Sequence, residues 1–332
     1  METESFQPVH YPVMYREIIQ VYREFLGEVT EGSLHFLDGT GGEAGHVLEV
    51  LRTFPNSKIL FLDRDPEMLE RANQRIQESG ILNFRDRVFS LRKNYSDLIW
   101  QDLVDLGFSE GLDGILLDLG ISTYHILESG RGFSFRGKES LDMRLDPSPS
   151  ARQVSASEIV NSYPPKELER IFYEYGEERW TKKIVGRILE KRVHKSFDSN
   201  HDLAKLVEGT IPRKFWPPKS HPAVRVFQAL RIEVNQELAH LEAAVRNLPK
   251  LLRMGGVMQV ISFHSLEDRI VKHSFKDLVQ TNSEPEHFYQ LLTKKPILPS
   301  ESEIQENSPS RSAKLRVIQR VKEISKKGKY GQ

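Results

Sequence analysis

Three short apolar runs, "LHFLD", "KILFLD" and "GILLDLG", carry an aspartate at or near their ends: Asp38, Asp63 and Asp118. Helical segments alternate with them. One opens near Ala44; another starts at Pro66, with Asp65 as N-cap, proline at the first helical position and Gly80 after the last turn. A further strand is expected around "VFSL". Strands alternating with helices make βαβ units, and runs that are continuously apolar mark parallel strands covered on both faces. The expected fold is therefore α/β, a Rossmann-like sheet whose carboxyl edge gathers the three acids beside the glycine-rich turn "DGTGGEAGH".

Two kinds of ligand suit such a turn. Gly39 to Ala44 satisfies G-x-G-x-x-G/A, the dinucleotide pattern. Residues 36 to 47, however, contain Asp38 and Glu43 and no lysine or arginine, so a pyrophosphate would meet like charge at the helix start. S-adenosylmethionine carries a sulfonium, an amino acid head and a ribose diol, and acids near the turn favour it. Asp63, at the end of its strand, would accept from ribose hydroxyls of either ligand. Taken singly, each acid could be an ordinary turn or capping residue. Together with the glycine turn they point to a cofactor cradle.

After Gly120 the periodicity stops, and "ESGRGFSFRGKESLDMRLDPSPS" reads as a long functional loop. Helix resumes from about Pro165 through "PPKELERIFYEYGEERWTKKIVGRILEKRV", followed by the proline-broken "TIPRKFWPPKSHP". Residues 127–222 are expected to form an inserted helical domain, with 1–126 and 223–332 forming the cofactor-binding domain. A long amphipathic helix from Ala223 places Phe227, Leu230, Val234, Leu238, Leu241, Val245 and Leu248 on one stripe, which should pack on the sheet. Then come a strand at "GGVMQVISF", a helix capped by Ser265 with Asp268 three residues on, a loop-rich stretch over 277–313 and a last strand at "KLRVIQRV".

The 47 basic and 47 acidic side chains balance, so any attraction to nucleic acid must be local. Between Arg179 and Lys219 there are eleven basic and four acidic residues, and "RSAKLRVIQRVKEISKKGKY" adds a second basic block, both suited to phosphate contacts. The chain has no cysteine, which excludes disulfides and thiolate metal sites. No stretch approaches a membrane span, and the opening segment lacks an apolar signal core. A cytoplasmic protein with no membrane partner and no metal is expected.

The segments "LDGTGGEAGH", "LDRDP", "DGILLDLGIS", "RGFSFRGKESLDMRLD", "YGEER", "HPAVRVFQALRIEVNQEL" and "ISFHSLEDRIVK", in this order, resemble the bacterial small-subunit ribosomal RNA (cytosine-N4)-methyltransferase family known as RsmH or MraW. The resemblance runs over nearly the whole chain. It implies a class I S-adenosylmethionine-dependent methyltransferase fold with an inserted helical domain. The implied enzyme methylates N4 of one decoding-centre cytidine of 16S ribosomal RNA within the small subunit or its precursor. Carried over residue by residue, the implied cofactor contacts are Ala44, Gly45, His46, Asp63, Tyr95, Asp118 and His125. The family commonly has glycine at Ala44, an aromatic residue at Gly41, phenylalanine at Tyr95, glutamine at His125 and threonine at Val224.

The lone pair of the cytosine N4 amine is delocalised into the ring, so transfer needs an acceptor that draws on its N–H beside the methyl donor. Asp118, Asp142 and His264 are the candidates. Phe133 and Phe135 could stack on an extruded base, and Arg131, Arg136 and Arg144 could hold phosphates. The loop of residues 131–146 that carries them is expected to order over the target. A methyltransferase for another nucleic acid or a protein, and a nucleotide-sensing scaffold without turnover, are the alternative readings.

Overall fold

The computed structural model describes residues 12–27, 33–151, 153–218, 220–281 and 288–321. The basic tail "KKGK" lies outside the described residues. Two compact units divide the chain: one runs up to Gly120 and resumes at His240, and the other is Ile121–Ala239.

The first unit is a seven-stranded sheet made of β1 (His35–Asp38), β2 (Lys58–Asp63), β3 (Val88–Arg92), β4 (Leu112–Asp118), β5 (Leu252–Ser262), β6 (Phe288–Leu291) and β7 (Lys314–Val321), in the order β3-β2-β1-β4-β5-β7-β6. The first five strands pair in parallel, and β7 lies antiparallel between β5 and β6. Side chains alternate through the sheet because successive Cβ atoms point to opposite faces. Phe36, Ile59, Phe61 and Leu116 pack with Ile18, Tyr22, Val47 and Leu51. Leu37, Leu60, Leu62, Ile115 and Leu117 pack with Leu103, Leu241, Val245 and Phe275. Both faces are covered, which is why the strands are apolar without interruption.

From β1 the chain moves to β2 on one side and later returns to β4 on the other. This is a switch point, and open α/β sheets bind ligands at the carboxyl ends of strands there. Asp38 and Asp118 end the two strands that flank it, and Asp63 ends β2. The helix Pro66–Glu78 begins as its signals require, with Asp65 accepting from Glu67 N and proline in the first turn.

Several elements differ from the sequence expectations. The helix from Ala223 is two helices, Val224–Asn235 and Glu237–Asn247, separated by Gln236 in the left-handed region at φ 50°. Phe227, Leu230 and Val234 are therefore buried in the core of the second unit, and Leu241, Val245 and Leu248 in a core of the first. The Arg231–Glu237 pair, at 2.8 Å, holds the corner. The segment from Pro165 is likewise two helices, Pro165–Glu174 and Thr181–Arg192. Between them Gly176 lies so close to other backbone that a Cβ would stand 2.7 Å from the carbonyls of Phe172 and Arg225, and Glu177 has φ 48°. The helix Tyr15–Leu26 and the strand β6 fall where no element is expected from the sequence.

The core of the second unit includes Leu168, Ile171, Phe172, Ile184, Ile188, Phe197, Leu203 and Val207. Among the described residues, no helix is long and apolar enough to cross a membrane.

Candidate active site

The glycine turn is stitched to the strands on both sides of β1. Gly39 N donates to Leu116 O on β4 and Gly41 N to Leu62 O on β2, at 2.9 and 2.8 Å. A Cβ at Gly39 would come within 2.5 Å of Leu117 Cδ2, and one at Gly41 within 2.5 Å of Phe61 Cδ2, so a side chain at either position would have to displace its neighbour on the sheet. Gly42 N then donates to Asp63 Oδ2 at 3.0 Å. Ala44 takes φ 61°, a left-handed conformation in which its Cβ is strained and glycine is not. The helix Gly45–Thr53 starts immediately after it, with Gly45 packed near Pro12.

Thr40 couples the two switch-point acids. Its N and Oγ1 donate to Asp38 Oδ1 at 3.0 and 3.2 Å, and Oγ1 accepts from Asp118 N at 2.7 Å. Asp118 Oδ2 lies 3.2 Å from His46 Nε2. Burial acts to lower the His46 pKa, but the hydrogen bond and charge of Asp118, with the charges of Asp38 and Glu49, outweigh it and hold the ring above its ordinary value. Burial raises the Asp38 carboxyl. Two buried oxygens, Asp38 Oδ2 and Asp118 Oδ1, have no hydrogen-bond partner among the described residues. Buried acceptors without donors are costly, and here they stand at the strand ends where a ligand would supply N–H, O–H or positive charge. Asp63 accepts from Gly42 N and Asp65 N.

Glu43 contributes less acidity than its place in the turn implies. Arg71, on the following helix, donates to it from Nε and Nη2 at 3.1 Å. The preference for a cationic ligand therefore rests on Asp38 and Asp118. Asp38 and Thr40 do not appear among the contacts carried over from the family, and the signal for Asp38 was its place at the end of β1. Tyr95 opens a short 3-10 turn after β3, and its Cβ lies beside Gly39.

His264 precedes the helix Ser265–Thr281, so it holds the cap position expected of Ser265. The third helical residue is then Glu267, whose Oε2 accepts from Phe263 N and His264 N at 2.8 and 3.3 Å. Glu267 Oε1 stands 3.1 Å from His264 Nε2, close enough for an ionic contact, but the angles do not make a hydrogen bond. Asp268 instead pairs with Arg316 and Lys314 of β7.

The remaining candidates lie in the second unit. His125 is buried in the helix Thr123–Leu127, with Nδ1 2.9 Å from Ser122 Oγ and its ring edge-on to Phe133. Phe133 is itself a core residue, 7% exposed, so its ring is engaged in packing. Phe135 stacks on His221 with centroids 4.6 Å apart. Arg131 donates to the carbonyls of Arg144 and Leu145, and Arg136 is exposed. Asp142 and Arg144 form a two-bonded pair at 2.8 and 2.7 Å. Burial acts to raise the Asp142 carboxyl, but the Arg144 hydrogen bonds and charge prevail and bring it below the usual range.

Two fully buried asparagines fix this loop. Asn200 donates to Ser134 O and Arg136 O and accepts from Glu139 N; Asn235 donates to Met143 O and accepts from Leu145 N. The loop is thus held by its own unit.

A Rossmann-like sheet with an acid-lined glycine turn at its switch point defines an S-adenosylmethionine-dependent methyltransferase, and the two unpartnered carboxylate oxygens fit that cofactor's donors and positive charge. The chain belongs to the MraW methylase family, whose model matches residues 7–321. A protein of Leptospira interrogans named "Ribosomal RNA small subunit methyltransferase H" is 54% identical, over 97% of this chain and 92% of its own. Proteins of the same name from Leptospira biflexa and a Geobacter species are 48% and 39% identical, each over 94% or more of both chains.

Proposed function

We propose that this chain transfers the methyl group of S-adenosylmethionine to the N4 amine of a decoding-centre cytidine in 16S ribosomal RNA, acting on the small subunit or its precursor in the cytoplasm. The observation that carries this reading is the near full-length similarity, at 54% identity, to a protein named for methylation of small-subunit ribosomal RNA. The cytidine N4 assignment rests on the motif resemblance and on the chemistry below.

When bound, S-adenosylmethionine supplies an electrophilic methyl on a sulfonium. The protein's part is to hold donor and amine in line and to accept the amine N–H as the nitrogen becomes tetrahedral. Of Asp118, Asp142 and His264, Asp118 suits this role best. One of its oxygens is fixed by His46 and the other has no donor among the described residues. Asp142 is committed to Arg144 and serves to position the loop, and His264 caps its helix. Cofactor binding falls to Ala44, Gly45, His46, Asp63 and Tyr95 around the turn, with Asp38 added. His125 and Phe133, buried against each other, support their unit instead, and Phe135 and Arg136 are the loop residues left to meet RNA.

The test is incorporation of labelled methyl into small subunits purified from cells lacking the modification, with large subunits and transfer RNA as competitors. Label confined to small-subunit RNA supports the reading. Label in another RNA or a protein makes this a methyltransferase of different specificity, and no label in any substrate makes it a scaffold.

A further inference from the structure

The second unit leaves one aromatic ring, Phe215, exposed beside Trp180 and Trp216, which are half-buried against its core. Trp180, just before the helix Thr181–Arg192, and Phe215, in the 3-10 turn Arg213–Phe215, come within 5.3 Å of each other between ring centroids. Phe215 is 55% exposed. The next residue, Trp216, anchors the turn by donating its indole N–H to Ile211 O at 2.8 Å. Cations accompany the rings: Lys183 Nζ is 4.7 Å from the Trp180 centroid, Lys214 Nζ is 5.1 Å from that of Phe215, and the Arg213 guanidinium is 5.6 Å from that of Trp216. Lys183, Arg213 and Lys214 have no carboxylate partner among the described residues.

A large exposed ring with unpaired cations around it is unfavourable to leave unused and suits one kind of partner best. Unpaired nucleic acid offers base faces for stacking and a phosphate for each cation, whereas an A-form duplex presents no base faces. Pro212, Pro217 and Pro218 flank the turn and restrict its backbone, so little conformational freedom is left to lose on binding. We infer that this surface binds an unpaired segment of ribosomal RNA, one base stacking on Phe215 while Lys183, Arg213 and Lys214 meet the flanking phosphates. The inference rests on the proposal that the substrate is ribosomal RNA, and it adds a contact outside the acid cradle.

The experiment measures binding of the full chain to protein-free small-subunit ribosomal RNA and to intact immature subunits, over a range of salt concentrations. Phe215→Ala should weaken both by about tenfold and leave the salt slope unchanged, because stacking releases no counterions. Phe215→Tyr should retain wild-type affinity. Lys183→Gln with Lys214→Gln should flatten the salt slope by roughly 0.7 per cation. Thermal melting checks that each variant is folded.

Phe215→Ala binding within twofold of wild type, or Phe215→Tyr falling as far as alanine, overturns the inference. So does a loss on intact subunits with none on protein-free RNA, which assigns the surface to a ribosomal protein. Methyl transfer by the wild-type chain is read in parallel. Its absence defeats the proposed function, while the dependence of RNA binding on Phe215 still decides the surface.

Discussion

Replacing Asp38 with asparagine separates the two tasks of its carboxylate. Oδ1 accepts from Thr40, and an amide oxygen can keep both bonds; Oδ2 has no donor among the described residues, and an NH2 group there turns an acceptor into a donor. A cofactor N–H or cation facing that atom then loses a charge-assisted bond of about 1.5–3 kcal/mol, or roughly 10- to 150-fold in affinity. Calorimetric titration of the full chain with S-adenosylmethionine measures this directly.

The pH dependence supplies a second reading of the same variant. Burial raises the folded-state pKa of Asp38 above its ordinary value of 3.8, so the folded chain binds this proton more tightly than the unfolded chain. The contribution of Asp38 to stability is therefore greatest below the unfolded value and is lost as pH rises through the raised folded value. Asp38→Asn removes that dependence. Wild-type cofactor affinity should decline as pH falls through the same window while the variant's stays flat. An affinity within twofold of wild type, or identical pH profiles, would show that Asp38 takes no part in binding.

Ala44→Gly should raise stability to urea by about 0.5–1 kcal/mol, because relief of the left-handed strain exceeds the added freedom of the unfolded chain; a loss of stability would contradict the conformation at this residue. Asp142→Asn and Arg144→Gln should reduce single-turnover methyl transfer to similar extents, since either breaks the same pair; a loss of about 10²-fold or more confined to Asp142→Asn would instead mark Asp142 as the group that handles the proton. Arg187, Lys191 and Arg192 should not behave as one basic face. Arg187 is exposed, and Arg187→Glu should flatten the salt dependence of subunit binding, whereas Arg192 donates to Val160 O and Tyr163 O, so Arg192→Ala should cost about 1–3 kcal/mol of stability in denaturant titration. Equal effects of these two substitutions on both readouts would refute the distinction.

Local signals in the sequence were reliable guides to local structure. The apolar runs of β1, β2 and β4 and the Asp65-Pro66 helix start need only neighbouring residues, and the acids at the strand ends follow from the strands themselves. Features that depend on distant partners were not legible. Glu43 looked like free negative charge until Arg71, 28 residues later, neutralised it. Phe133 reads as a loop aromatic, yet the apolar face of the helices around it draws it into a core. The break at Gln236 carries neither glycine nor proline, so an uninterrupted apolar stripe concealed it. Asn200 and Asn235 carry no local signal in the sequence, and only the folded loop reveals what their amides hold.

The most direct test of the account is the identity of the methylated nucleoside. Small subunits lacking the modification are incubated with the full chain and S-adenosylmethionine carrying a labelled methyl, and the ribosomal RNA is digested to nucleosides and resolved by mass spectrometry. The account predicts label in N4-methylcytidine alone, arising from one decoding-centre position, and its loss in Asp118→Ala with the cofactor supplied in excess. Label in a C5- or ribose-methylated nucleoside, or an Asp118→Ala variant as fast as wild type, would contradict it.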